Sequence, residues 1–298
     1  MKRIIKRVVL PLFLIALAVI IILSSRSNGQ SPKADLRPVV LVPRETKPLL
    51  SSPDTSANSV SLVISQPKVK PEHAVIAFTF DDGDVSDYLL AYPILQKYGI
   101  KGTSYINPYN PDHNVKKKLS WDQIKQMYAY GWDFGDHTYT HMDMTKSTPD
   151  QIKQSVEKVN TAFTKNGLKI PQVFAYPYGK LNTAAIDAIK QYRKQARLAF
   201  YRSDFVNLNN VDPYEIPCVS ADMQTEKRLE GKEKLVDKAV SQHAVIVFRV
   251  HCMYVDKIGD TGAWPVQTSS KLFAKLVDYC VKKGCTFVTM DGLMKLYS

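Results

Sequence analysis

The chain has 298 residues, 45% of them hydrophobic and 23% charged, enough apolar material for one substantial globular core. Its formal net charge is +12. Residues 1–30 carry +5 of this and residues 31–70 another +3, which leaves a modest +4 on residues 71–298. Such a surplus suits attraction to anionic envelope material or ordinary solvated lysines equally well. Basic and aromatic residues do not interleave as a nucleic-acid surface would require.

In chain order, Lys2, Arg3, Lys6 and Arg7 precede an uninterrupted apolar run over residues 8–23 that contains Pro11. This is the layout of a signal peptide or an uncleaved signal anchor, and the run is about the shortest that spans a bilayer. Ser24-Ser25 is only a weak cleavage site and no cysteine for lipid attachment lies nearby, so a retained anchor is the favoured expectation. The positive-inside rule then puts the rest of the chain outside the cytoplasm, either anchored through residues 8–23 or, after cleavage, secreted. Residues 24–70 are rich in Ser, Pro, Asn and Thr without sustained periodicity and read as a flexible linker. Within it, residues 60–64 have the composition of an added edge strand.

From residue 71 to 298 the pattern is that of a folded domain. Strands are predicted at 74–80, 102–106, 132–136, 172–176, 196–200, 215–219, 244–250 and 285–290, and helices at 86–98, 120–130, 149–166, 182–193, 232–242 and 269–283. Ser120 with Gln123 forms a capping-box pattern, and Pro149 after Thr148 sits where its missing donor is harmless. Gly99, Gly131, Gly167 and Gly284 are placed as helix stops. The alternation implies a mainly parallel sheet, doubly wound or closed into a barrel. Lys116-Lys117-Lys118 reads as a solvated loop. Cys218, Cys252, Cys280 and Cys285 allow three complete pairings if exported and oxidised, or stay as buried thiols.

Two stretches carry chemistry. The first, Ala77-Phe78-Thr79-Phe80-Asp81-Asp82-Gly83-Asp84, is an apolar strand that breaks into adjacent carboxylates. A bound cation would favour that arrangement, holding one carboxylate as ligand and leaving the other as a base; a turn with a helix-capping Asp is the plainer alternative. The second is His137-Thr138-Tyr139-Thr140-His141. Its two histidines at i and i+4 share a face if the segment turns helically. Asp82, His137 and His141 would supply three protein ligands to one divalent metal ion and leave a position open for water, as catalytic Zn2+ sites do.

These stretches resemble motifs of the polysaccharide deacetylases, the family-4 carbohydrate esterases, over residues 70–298. Thr79-Phe80-Asp81-Asp82-Gly83 is similar to the first motif and His137-Thr138-Tyr139-Thr140-His141 to the second. Phe174-Ala175-Tyr176-Pro177-Tyr178-Gly179 resembles the third, nearest to the poly-N-acetylglucosamine deacetylase branch, and the strand ending at His251 resembles the fifth. The resemblance implies an α/β fold that is a distorted (β/α) barrel with fewer than eight regular units. It implies Asp81 as general base, His251 as general acid, the Tyr178 backbone N–H as an oxyanion contact, and Asp82, His137 and His141 as metal ligands. It also implies a hydrolase that removes N-acetyl groups from an acetylated polysaccharide. An O-acetyl esterase on xylan-like glycans and a silent glycan-binding domain are the alternatives.

Three departures accompany the resemblance. Ala175 stands where the family often has an arginine that orients the catalytic Asp, and Cys218 stands where related chains often carry arginine. The fourth motif, whose Asp would tune His251, has two candidates, Asp204 and Asp222. Arg249 lies two residues before His251 on the same predicted strand. If the strand stays extended it enters the barrel below His251 and pairs with Asp81 or another site carboxylate, replacing the missing arginine; otherwise it turns outward to solvent.

Overall fold

The computed structural model describes residues 71–199, 203–255 and 267–297. The expected anchor (8–23), linker (24–70) and edge strand (60–64) lie outside the described residues. Among the described residues, no helix is long and apolar enough to cross a membrane.

The sheet is built outward from β1, Val75–Asp81, all seven of whose residues are buried. A parallel strand covered on both faces needs that continuous apolar run. The sheet's other strands are β2 (Thr103–Ile106), β3 (Asp133–Asp136), β4 (Val173–Ala175), β5 (Gln195–Arg197), β6 (Val219–Ser220) and β7 (Val245–Val250). They run in the order β5-β4-β3-β2-β1-β7-β6, every pairing parallel. The sheet curls until its edges approach: Ile216 bridges Arg197 in β5, and β6 a few residues later pairs with β7. The result is a distorted barrel of seven parallel strands.

The predicted 285–290 strand shrinks to Thr286–Phe287, which pairs with the start of β1. The chain then enters a short helix, Met290–Met294, capped by the Thr289 side chain accepting from the Gly292 N–H. The predicted 215–219 strand is likewise reduced to the Ile216 bridge and β6. One parallel pair was not expected: Cys252–Tyr254 with Gln267–Ser269. Among the helices, the predicted 86–98 segment opens with a wide turn, Asp87–Ala91, before its α-helical part, Tyr92–Gln96. The helix predicted from 232 starts at Glu226, capped by Thr225; a first turn of Glu, Lys and Arg hides the apolar periodicity there. Both predicted N-terminal caps form, and Gln151 completes a second capping box with Thr148.

Strand alternation sorts the core into layers. Ile76, Phe78, Phe80 and Phe248 face the surrounding helices, packed with Phe273, Leu276 and Val277 from the helix Ser270–Lys282. Val75, Ala77, Tyr105, Val173, Ala175 and Val247 fill the barrel interior, plugged at one end by Met290 and Leu293. Continuing that face toward the strands' C-terminal ends brings in Asp81, Arg197 and Arg249. The apolar interior therefore ends in a charged layer.

Candidate metal centre

The turn after β1 is fixed before any side chain is considered. Asp82 takes a left-handed φ of 71° and Gly83 one of 56°, which swings the Asp82 carboxylate back over the strand end. The turn is stitched to the 115–119 loop: the Leu119 N–H donates to the Gly83 carbonyl at 2.9 Å and the Val85 N–H to the Lys117 carbonyl at 3.0 Å. Lys118 Nζ donates to the Asp82 carbonyl at 3.1 Å.

The second ligand stretch follows β3. It is not helical, so the histidines do not meet on a helix face. Thr138 and His141 both sit at left-handed φ, 61° and 59°, and these two reversals fold the loop so that its histidines converge. Left-handed backbone is unfavourable for a β-branched residue, so the loop must be held. Asn107 Nδ2 donates to the carbonyls of His137 and Thr138 at 2.5 and 3.0 Å. The Thr138 N–H donates to Asp136 Oδ1 at 2.7 Å, and Asp136 is itself locked in a buried ion pair with Arg193 at 2.6 Å.

The three candidate ligand atoms lie within 4.8 Å of one another. Asp82 Oδ1 is 3.3 Å from His137 Nε2 and 3.2 Å from His141 Nε2. His137 Nδ1 lies 2.7 Å from the Ala175 carbonyl. A carbonyl only accepts, so Nδ1 carries the proton and Nε2 offers its lone pair toward Asp82, the backing that metal-bound histidines generally have. Asp82 Oδ1 is buried with no hydrogen-bond donor. A buried carboxylate oxygen without a donor, faced by the Nε2 atoms of both histidines, fits a divalent cation.

Asp81 is buried beside this cluster and ion-paired with Arg197, whose side chain is 0% exposed. Arg197 also donates to the Leu198 carbonyl at 2.6 Å and to Cys218 Sγ at 3.3 Å, and its guanidinium carbon lies 5.0 Å from the Tyr105 ring centroid. Burial opposes ionisation of Asp81, but Arg197, His137, His251 and Arg249 outweigh it and lower its pKa. The arginine absent at Ala175 is thus supplied from β5, not by Arg249. Sequence reasoning missed Arg197; the available signal was a charged residue inside an otherwise apolar short strand.

Arg249 does enter the barrel, and its carboxylate partner is Asp222 rather than Asp81. Its Nη2 is 3.7 Å from Asp222 Oδ2, and its Nη1 is 3.2 Å from Nε2 and 3.4 Å from Nδ1 of His251. Similar distances to both ring nitrogens place the guanidinium against the imidazole face. Burial and then Arg249 lower the His251 pKa, opposed by Asp81, Asp82 and Asp222. Of the two fourth-motif candidates, Asp222 joins this array, also accepting from the Ser220 hydroxyl. Asp204 does not: it pairs with Lys238 on the helix Glu226–Gln242 at 3.5 Å.

Tyr178 sits in the turn Pro177–Gly179 at φ 58°. The turn's own hydrogen bonds use the N–H groups of Gly179 and Lys180, not that of Tyr178. Tyr178 is 50% exposed, and its ring meets the His141 ring edge-on at 4.3 Å. Two cavities of about 320 and 330 Å³ flank the cluster, both lined by Asp82, His141, Tyr178 and His251. Asp81, His137 and Arg249 line the second. Lys116, Lys117 and Lys118, expected to be a solvated loop, line the first. All four cysteines are buried, and no disulfide joins any two of them.

A carboxylate–histidine–histidine cluster at the strand ends of a distorted (β/α) barrel, with a second carboxylate beside it, defines a class of metal-binding barrel. Residues 68–196 match the family model described as polysaccharide deacetylase, and that segment carries the motifs of the family-4 carbohydrate esterases. It is 34% identical over 157 residues to a poly-β-1,6-N-acetyl-D-glucosamine N-deacetylase of Staphylococcus aureus, covering 47% of this chain and 52% of that one. It is 30% identical over 131 residues to the Bacillus subtilis protein YxkH, covering 44% of this chain and 46% of that one. The chain thus spans about half the length of the curated relatives it matches. A family 4 acetyl xylan esterase from Clostridium thermocellum has the same fold, with a TM-score of 0.51 at 19% identity over 74% of this chain and 91% of that one.

Proposed function

We propose that this protein is a metal-dependent hydrolase that removes N-acetyl groups from a polysaccharide of N-acetylglucosamine type and releases acetate. The observation that carries this reading is the convergence of Asp82, His137 and His141 beside an ionised, arginine-held Asp81, with His251 lining the same cavities. A divalent ion held by those three residues, zinc by the chemistry of its donors, supplies Lewis-acid polarisation of the acyl carbonyl and of the attacking water. Asp81 accepts the water's proton, and Arg197 keeps its carboxylate ionised and aimed. The Tyr178 N–H donates to the carbonyl oxygen as it gains charge. His251 delivers a proton to the departing nitrogen.

The likeness to the staphylococcal N-deacetylase favours the amide over the ester. The test is acetate release by the full chain, loaded with zinc, from a panel of N-acetylglucosamine polymers and acetylated xylan, with bound metal quantified in parallel. Release from xylan alone would replace the proposal with an O-acetyl esterase. Metal binding without release from any polymer would make the domain a silent glycan binder. We further propose that residues 8–23 anchor the protein with residues 71–298 outside the cytoplasm, where such a polymer is met.

A further inference from the structure

The two cavities beside the metal centre differ in charge, and the difference is built into the backbone. The lysine-lined cavity is walled by Lys116, Lys117 and Lys118 together with Asn107 and Asn110. The lysine loop does not hang free: Lys118 bridges Asp84 as an antiparallel partner, and the Leu119–Gly83 and Val85–Lys117 hydrogen bonds fasten it along the metal-ligand turn. Asp82 and Asp84 share this wall, but both are engaged. Asp84 is 4% exposed, with Oδ1 accepting from the Ser86 N–H at 2.9 Å, and Asp82 is committed to the two histidines. A sugar unit seated there, next to the one being deacetylated, would meet the positive charge of Lys116, Lys117 and Lys118.

We propose that this cavity is a charge-selective subsite that accepts a neutral, N-acylated neighbouring sugar and rejects one bearing a free ammonium group. Resting on the deacetylase reading, this makes the reaction self-limiting. Each turnover converts a neutral amide into a cation, and that cation then disfavours binding of the adjoining unit for a second turnover. The product is sparsely deacetylated, with free amines spaced apart.

The experiment uses N-acetylglucosamine oligomers with one free amine placed on either side of the reporting acetyl group, and matched oligomers in which that amine is capped with a propionyl group. Two readouts are taken: kcat/KM on the zinc-loaded full chain, and Kd on its Asp81→Asn variant, which needs no turnover. The amine on one side lowers both kcat/KM and affinity about three- to tenfold relative to the capped control, the size expected of several exposed charges at close range. In Lys116→Glu/Lys117→Glu, whose altered side chains are on the surface, that ratio falls to within about twofold or inverts, and high salt shrinks it in the wild type. Equal values for amine and capped isomers, or a ratio unchanged in the double variant, overturn the subsite. Failure of acetate release from every oligomer overturns the deacetylase reading instead, and the Kd ratio still decides the subsite.

Discussion

Asp81 and Arg197 are both almost wholly buried, and each is tolerable there only because of the other. Removing one partner of such a pair costs about 3–5 kcal/mol. Arg197→Met is expected to lower stability by that order. It also raises the Asp81 pKa, so the acid limb of the kcat/KM profile moves to higher pH. Arg197→Lys keeps the charge but loses the planar fork, and recovers only part of the activity. An acid limb unmoved in Arg197→Met would reduce Arg197 to a packing residue. The neighbouring ligands separate by a different readout. His137→Ala or His141→Ala should strip most metal from the purified protein, whereas Asp81→Asn should keep it and lose turnover. Equal metal loss in all three would mean that the roles of Asp81 and Asp82 are misassigned.

The strand β3 shows how one element serves both stability and function. Its last residue, Asp136, braces the histidine loop, while Gly135 lies so close to Tyr105 that an added Cβ would meet the ring at 2.4 Å. Its first residue, Asp133, is at the opposite end of the barrel, where burial and the Asp291 charge raise its pKa to about 6. A raised carboxyl stabilises fully below its unfolded value near 4 and loses that contribution as pH rises through about 6. Asp133→Asn should therefore melt a few degrees above the wild type at pH 7 and show no gain at pH 4. Equal melting differences at both pH values would contradict the assignment. Legibility in the sequence follows the same local-versus-distant divide. The β1 motif, the capping boxes and the paired histidines are visible because spacing within a few residues defines them. Arg197 meets Asp81 from 116 residues away, and the left-handed turns at Thr138 and Tyr178 belong to residue types that give no warning of them. The short pair Cys252–Tyr254 and Gln267–Ser269 carries too few residues for a periodicity to register.

At the scale of the whole chain, the proposed location outside the cytoplasm rests on the charge and apolar layout of the first 23 residues. If residues 8–23 are retained, the full-length protein should sediment with membranes, resist extraction by salt and be degraded by protease added from outside. A shortened, soluble product in the medium would show cleavage instead. The charge on residues 71–298 is small, so a retained anchor rather than bulk electrostatics would be what holds the domain near a polymer.

The hydrogen bond from His137 to the Ala175 carbonyl has a consequence beyond aiming a ring. Asp82 follows β1, His137 follows β3, and Ala175 belongs to β4, so an ion at the centre clasps three strands of one barrel wall. Folding and ion capture are then linked equilibria. At free ion a hundredfold above its Kd, the native state gains about 2.7 kcal/mol. Zinc should raise the melting temperature by several degrees and a chelator should return it, an effect absent in His141→Ala. The metal content of the surroundings thus governs how long each molecule survives as well as how many are active.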